Sequence, residues 1–284
     1  MSQIVVGDKL EKFLDVDDKF YRQISYCIGK SLDPKKDNIV ITKPPWSSRS
    51  AAAHMLLCIV KENRYVALKR CVDNPEYIRR EFAIAVAKTQ FGFPSYNVIK
   101  IDGLILQHPT TGANCDLLKG WEHQTILLID FGDFNKVKNL TDDPDRGLKL
   151  SDMIDINKFC FVYGQWMAFN YLLGIRDRNS GNFVFFTDKQ ELHSVDNEEG
   201  PLDSNGNDIG GDDIIQSSKQ NIQKFINDNN SSTCMSSLRL GFVDGWNKIK
   251  NFQEFLIMFN PKEIERTKRL LEQNAIVLAK EIFQ

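Results

Sequence analysis

The chain has 284 residues and a formal net charge of −2. No global positive field therefore draws it to nucleic acid or to an anionic membrane, and no Lys/Arg run supplies a local one. Its length suits one large domain or two lobes sharing a cleft, and 42% hydrophobic with 26% charged residues is the balance of a soluble globular protein. Six scattered cysteines without a C-x-x-C, beside only four histidines, argue against a zinc site and read as small buried hydrophobes in a reducing compartment. The opening MSQIVVGDKLEKF has no basic-then-apolar leader. No uninterrupted apolar run approaches the ~20 residues needed to cross a bilayer, so a cytoplasmic protein without a transmembrane segment is expected.

Residues 8–31 read as helical, with Leu10, Phe13, Phe20 and Ile24 sharing a face. A β-branched run, Ile39 to Thr42, is closed by two prolines. After PPWSSRSAAAH come two more strands, near Met55–Val60 and at YVALKRC, joined by a polar turn. The stretch EYIRREFAIAVAKTQFG reads as a helix with Ile78, Phe82, Ala85 and Val86 on one face and Gly92 at its end. Strands follow at NVIKIDGLILQ and QTILLID. The second half is mostly helical: KFCFVYGQWMAFNYLLGI is apolar nearly all round, as a helix buried in a core must be. Glu198 to Asp213, rich in Gly and Asp, reads as a mobile loop. A last helix starts at Asn260-Pro261, with Glu263 placed for a capping box and Ile264, Leu271, Leu278 and Ile282 on one face.

Four features bear on chemistry, and they occur in order. Lys69 sits in an apolar strand behind Val66, Ala67 and Leu68, where an ammonium needs an anionic partner. Glu81, on the following helix, could supply it, with Glu76 as a competitor. The loop GIRDRNSGNFVF then places Asp177 and Asn182 in a D-x₄-N spacing between an all-apolar helix and an all-apolar strand. Asp196 ends a short strand that a hairpin would return beside Asn182. A carboxylate and an amide oxygen so placed suit a hard cation such as Mg²⁺.

This order resembles that of a two-lobed kinase, and GIRDRNSGNF with VDN downstream most resembles the phosphoinositide 3-/4-kinase-like superfamily of atypical kinases. The D-N ending is nearest to type II phosphatidylinositol 4-kinases and related atypical protein kinases. The resemblance implies an α+β, protein-kinase-like fold, with an antiparallel-sheet N-lobe over 1–132 and a mainly helical C-lobe over 133–284. It also implies ATP, Mg²⁺ and phosphoryl transfer. Lys69 would meet the ATP phosphates and Glu81 would position it. Asp177 would act as base or orient the acceptor, supported by Arg178, and Asn182 and Asp196 would bind Mg²⁺. The triplet Asp130-Phe131-Gly132 spells the kinase metal motif but precedes the D-x₄-N loop, so Asp196 takes the metal instead. Asp130 is then expected to end the last N-lobe strand at the hinge. Leu127 to Ile129, Leu128 among them, would line the adenine pocket, and the backbone from Asp130 through Phe131 to Asp133 would bond the base.

Three departures from the kinase pattern carry consequences. No G-x-G-x-x-G loop is present; Ser47, Ser48 and Ser50, with Arg49 adding charge, would hold phosphates in its place. Asn179 stands where phosphoinositide 3-kinases carry a histidine, and Asn197-Glu198 replaces Phe-Gly after the metal Asp. The segment Gln190 to Ser218 has no Lys or Arg and carries Glu191, Asp196, Glu198, Glu199, Asp203, Asp208, Asp212 and Asp213. Such a segment repels a polyphosphoinositide and suits a neutral or basic protein Ser/Thr acceptor. A lipid kinase, a nucleotide-binding pseudokinase and an AMP transferase are the other readings.

Overall fold

The structure, a computed structural model, describes residues 3–6, 11–15, 18–43, 55–60, 64–70, 75–104, 106–107, 118, 120–121, 124–140, 147–176, 180–195, 200–202, 208, 211–227, 231–251 and 259–284. It is of the α+β class and divides into two compact units, 1–85 with 96–135 and 86–95 with 136–284. The division falls a few residues beyond 132, and a short stretch of the first half, 86–95, belongs to the second unit.

The first unit is built on a sheet in the order β6 (Val98–Asp102), β8 (Thr125–Asp133), β5 (Arg64–Arg70), β4 (Met55–Val60), β3 (Ile39–Thr42), β1 (Gln3–Val6), β2 (Glu11–Asp15) and β7 (Leu106–Gln107). Every pairing is antiparallel except β1 with β3. The consecutive β3, β4 and β5 pair as the hairpin-series reading expects. Helix α1 (Lys19–Ile28) packs on one face of this sheet. Its Phe20, Ile24, Cys27 and Ile28 recur at helical spacing and share a core with Leu56, Cys58, Val66, Leu68, Ile126 and Leu128. Gly29 ends the helix at φ 62°, donating to Ser25 and Tyr26 carbonyls, a conformation glycine adopts without penalty. The expected single helix over 8–31 is therefore corrected. Phe13 lies in β2, whose ladder with β1 satisfies its backbone, and Leu10 lies outside the described residues.

Helix α2 (Pro75–Gln90) ends before Phe91-Gly92, and Gly92 takes φ 68°. Its burial differs from the expected stripe: Phe82 and Val86 are half-buried, whereas Glu81, Ile84, Ala87 and Lys88 are buried.

The second unit pairs a small sheet, in the order β11 (Glu191–Ser194), β10 (Phe183–Phe186) and β9 (Val137–Asn139), with helices α3 (Ile156–Leu173), α4 (Asp212–Asn227), α5 (Ser231–Asn251), α6 (Pro261–Leu271) and α7 (Ala275–Ile282). Helix α3 is the apolar helix expected at its centre. Asp155 caps its start by accepting from the Asn157 and Lys158 N–H groups. Trp166 Nε1 donates to the Leu192 carbonyl at 2.7 Å, tying α3 to β11. The expected last helix is broken in two, because Asn274 accepts from the N–H groups of Ile276 and Val277 and starts a new helix. Asn260 caps α6 with Pro261 in its first turn, as the sequence implies.

Helices α3 and α5 approach so closely that glycine is required between them. A Cβ added at Gly241 would lie 1.9 Å from the Phe161 carbonyl oxygen, and one at Gly164 2.2 Å from that of Leu238. Glycine to alanine in a free helix stabilises by about 0.5–1 kcal/mol. Here Gly241→Ala is expected to cost about 3 kcal/mol, read as a lower thermal midpoint. A midpoint at or above wild type would show that the two backbones do not meet.

Four cysteines, Cys27, Cys58, Cys160 and Cys234, are free and buried, in keeping with their reading as small hydrophobes; Cys71 and Cys115 lie outside the described residues. Burial pushes the Cys27 thiol up to about 12. The stretch expected to be a mobile loop after β11 is corrected in part: Pro201, Asp208 and Gly211 meet residues of the helices, Leu202 bridges to Asp208, and Asp212 and Asp213 open α4. Among the described residues no helix is long and apolar enough to cross a membrane.

Candidate active site

Residues directly opposite in a ladder share a face of the sheet, and neighbours along a strand point to opposite faces. Lys69 pairs with Leu127 and with Met55, and Ala67 with Ile129 and Leu57. Lys69, Ala67, Leu127 and Ile129 therefore share the face that α1 does not cover. On this face Lys69 Nζ meets Glu81 Oε2 at 3.3 Å, with side chains 9% and 2% exposed. Glu76, the competing partner, is exposed on the first turn of α2 and pairs with Arg79 at 3.4 Å.

The same alternation corrects two expected cofactor contacts. Leu128 pairs with Leu68 and is buried in the α1 core, so its side chain points away from the Lys69 face. Asp130 pairs with Val66 and also lies on the α1 side. Its carboxylate takes the Arg64 guanidinium on both oxygens, Nε to Oδ1 at 2.9 Å and a second amino group to Oδ2, and Oδ1 also accepts from Gly132 N–H at 3.0 Å. Its backbone N–H donates to Asn97 at 3.0 Å and is thus not offered to a base. Nor does β8 end at Asp130. The strand runs to Asp133, with Gly132 opposite Tyr65 and Phe131 bulged between two ladder positions. Gly132, at φ 66°, takes up the turn of that bulge. The Phe131 and Tyr96 rings lie against each other at a tilt, centroids 5.7 Å apart.

In the second unit Asn182 closes a 3-10 turn, Ser180–Asn182, at the head of β10 and is 7% exposed. The β10–β11 hairpin pairs Phe183 with Ser194, and Val195 N–H donates to the Asn182 carbonyl at 2.9 Å. The chain thus returns beside Asn182 just before position 196. Asp177, Asp196, Ser47, Ser48 and Ser50 lie outside the described residues, as do Arg49, Arg178, Asn179 and Asn197. Among the described residues no group of three or more His, Cys, Asp or Glu could hold a metal.

Two features of this hairpin escaped the sequence reading. Lys88 is fully buried; its Nζ donates to the Ser194 carbonyl at 2.6 Å and lies 5.4 Å from the Trp166 ring. His193, on β11, is buried with Glu191 Oε2 at 3.2 Å from Nε2, and burial holds its pKa below the usual histidine range.

No protein-family model matches this chain, and no curated protein does. Among solved structures it is similar to a Helicobacter pylori proinflammatory kinase, CtkA. The identity is 12% and the TM-score 0.41, over 81% of this chain and 90% of that one.

Proposed function

We propose that the chain is an ATP- and Mg²⁺-dependent phosphotransferase that moves the γ-phosphoryl group to a hydroxyl, with a Ser/Thr of a neutral or basic protein segment as the favoured acceptor. The observation that carries this reading is the buried Lys69–Glu81 pair on the face of the sheet that α1 leaves uncovered. A buried ion pair adds little stability over an apolar pair of the same volume, so the fold gains little from it as a structural device. An ammonium held in place by a carboxylate is, by contrast, what an anionic phosphate chain requires.

The donors fit the metal. An amide oxygen at Asn182 and a carboxylate at Asp196 are hard oxygen ligands, and the hairpin register returns the chain to position 195 beside Asn182. Mg²⁺ held there would neutralise charge developing on the phosphate oxygens. In this reading Glu81 orients Lys69, Lys69 binds phosphate, and Asp177 accepts or orients the acceptor hydroxyl. Lys88 fixes the end of β11 ahead of Asp196. The cation-free segment after β11 favours a basic acceptor over an anionic lipid headgroup.

Incubation with γ-labelled ATP should label the protein itself or a basic protein, and Asp196→Ala should reduce labelling by about a hundredfold or more. Equal labelling by the variant removes Asp196 from the reaction. Label arriving from the α position identifies AMP transfer, and nucleotide-dependent thermal stabilisation without turnover identifies a binding module.

A further inference from the structure

Described residues of the acidic segment after β11 meet the C-terminal end of α3. A Cβ added at Gly174, the residue that ends α3, would lie 2.3 Å from Pro201 Cβ, and one at Gly211 would lie 2.3 Å from the Tyr171 ring. Leu202 and Asp208 form an isolated antiparallel bridge across the segment. Asp208 Oδ2 then meets Arg266 Nε at 3.0 Å and an Arg269 amino group at 3.6 Å.

Arg266 joins this segment to the helix. Its side chain is 4% exposed, and Nη1 donates to the carbonyls of Tyr171 at 3.1 Å and Leu172 at 3.2 Å. The neighbouring Thr267 hydroxyl donates to the Leu172 carbonyl at 2.8 Å. The last carbonyls of a helix have no partner within it, and a cation there also meets the negative end of the helix dipole. Gly174 stands three residues ahead of Asp177 in the chain.

We propose that Arg266 is a positioning residue: one guanidinium fixes the end of α3, three residues ahead of Asp177 in the chain, and holds Asp208 to that end through an ion pair. As far as it concerns catalysis, the inference rests on the phosphotransferase reading. The clamp itself does not, and its test is separate. Asp208→Asn removes the charge that holds the segment but leaves the caps on Tyr171 and Leu172 intact. Hydrogen exchange on the nucleotide-free protein should then show the amides of 200–211 exchanging about tenfold faster, the loss of a charge-assisted bond, with α3 protected as before. Arg266→Met should expose both the segment and the end of α3, and Arg266→Lys should restore most of the protection. In labelling assays Arg266→Met should lower kcat about tenfold with KM for ATP unchanged, the signature of a misplaced group, and Arg266→Lys should recover most of it.

Unchanged exchange at 200–211 in Asp208→Asn overturns the clamp. Faster exchange at the end of α3 with unchanged kcat in Arg266→Met overturns the positioning role. Absence of label transfer by the wild type sinks the phosphotransferase reading and the catalytic role of Arg266 with it, while the clamp still stands or falls by exchange.

Discussion

Lys69→Met is expected to lower γ-phosphoryl transfer by at least about a hundredfold and to destabilise the fold by about 3–5 kcal/mol, because it strands the Glu81 carboxylate in a site where that side chain is 2% exposed. The two effects separate in the double variant. Lys69→Met with Glu81→Gln has no buried charge left, so most of the stability should return. Transfer should not, since no ammonium remains to meet the phosphates. Glu81→Gln alone leaves Lys69 in place without its counter-charge, and should lose both stability and rate. Thermal midpoints and label transfer on the same preparations measure this. A folded double variant that transfers label at the wild-type rate would falsify the assignment of Lys69 to phosphate.

The second large effect separates the D-F-G triplet from the metal. Asp130→Ala should destabilise by about 2–4 kcal/mol, since it removes a bidentate partner from Arg64, 24% exposed, and an acceptor from Gly132 N–H. For a chain of this size that is roughly 5–10 °C in Tm. The Mg²⁺ concentration needed for half-maximal transfer should stay at the wild-type value, because the Asp130 carboxylate is occupied on the α1 side of the sheet. Arg64→Ala combined with Asp130→Ala should cost less than the sum of the two single changes, as expected for one shared interaction. A shift of several-fold in Mg²⁺ dependence in folded Asp130→Ala would return the triplet to the metal site.

Local chemistry made much of this molecule legible. The all-round apolar pattern of α3, the proline-assisted start of α6 and the β3–β4–β5 series follow from nearest-neighbour preferences that operate over a few residues. The partnership of Lys69 with a helix carboxylate was legible too, because an ammonium in an apolar strand must find one. Where such local signals compete, long-range pairing decides: Phe13 suits a helix face in isolation, and only the β1 ladder makes it strand.

Period-two alternation along β8 already states, from sequence, that Leu128 faces away from Leu127 and Ile129. Which face lies under α1 and which beside Lys69 is set by contacts between residues far apart in the chain, so the assignment of Leu128 and Asp130 waited on the packing of Cys27 and Ile24. The choice of Glu81 over Glu76 turned on burial, and the role of Arg266 on the meeting of α6, the end of α3 and Asp208. The order of the chemical groups is thus written in the chain, while their facing and their neighbours belong to the tertiary structure, because burial and long-range pairing have no local signature.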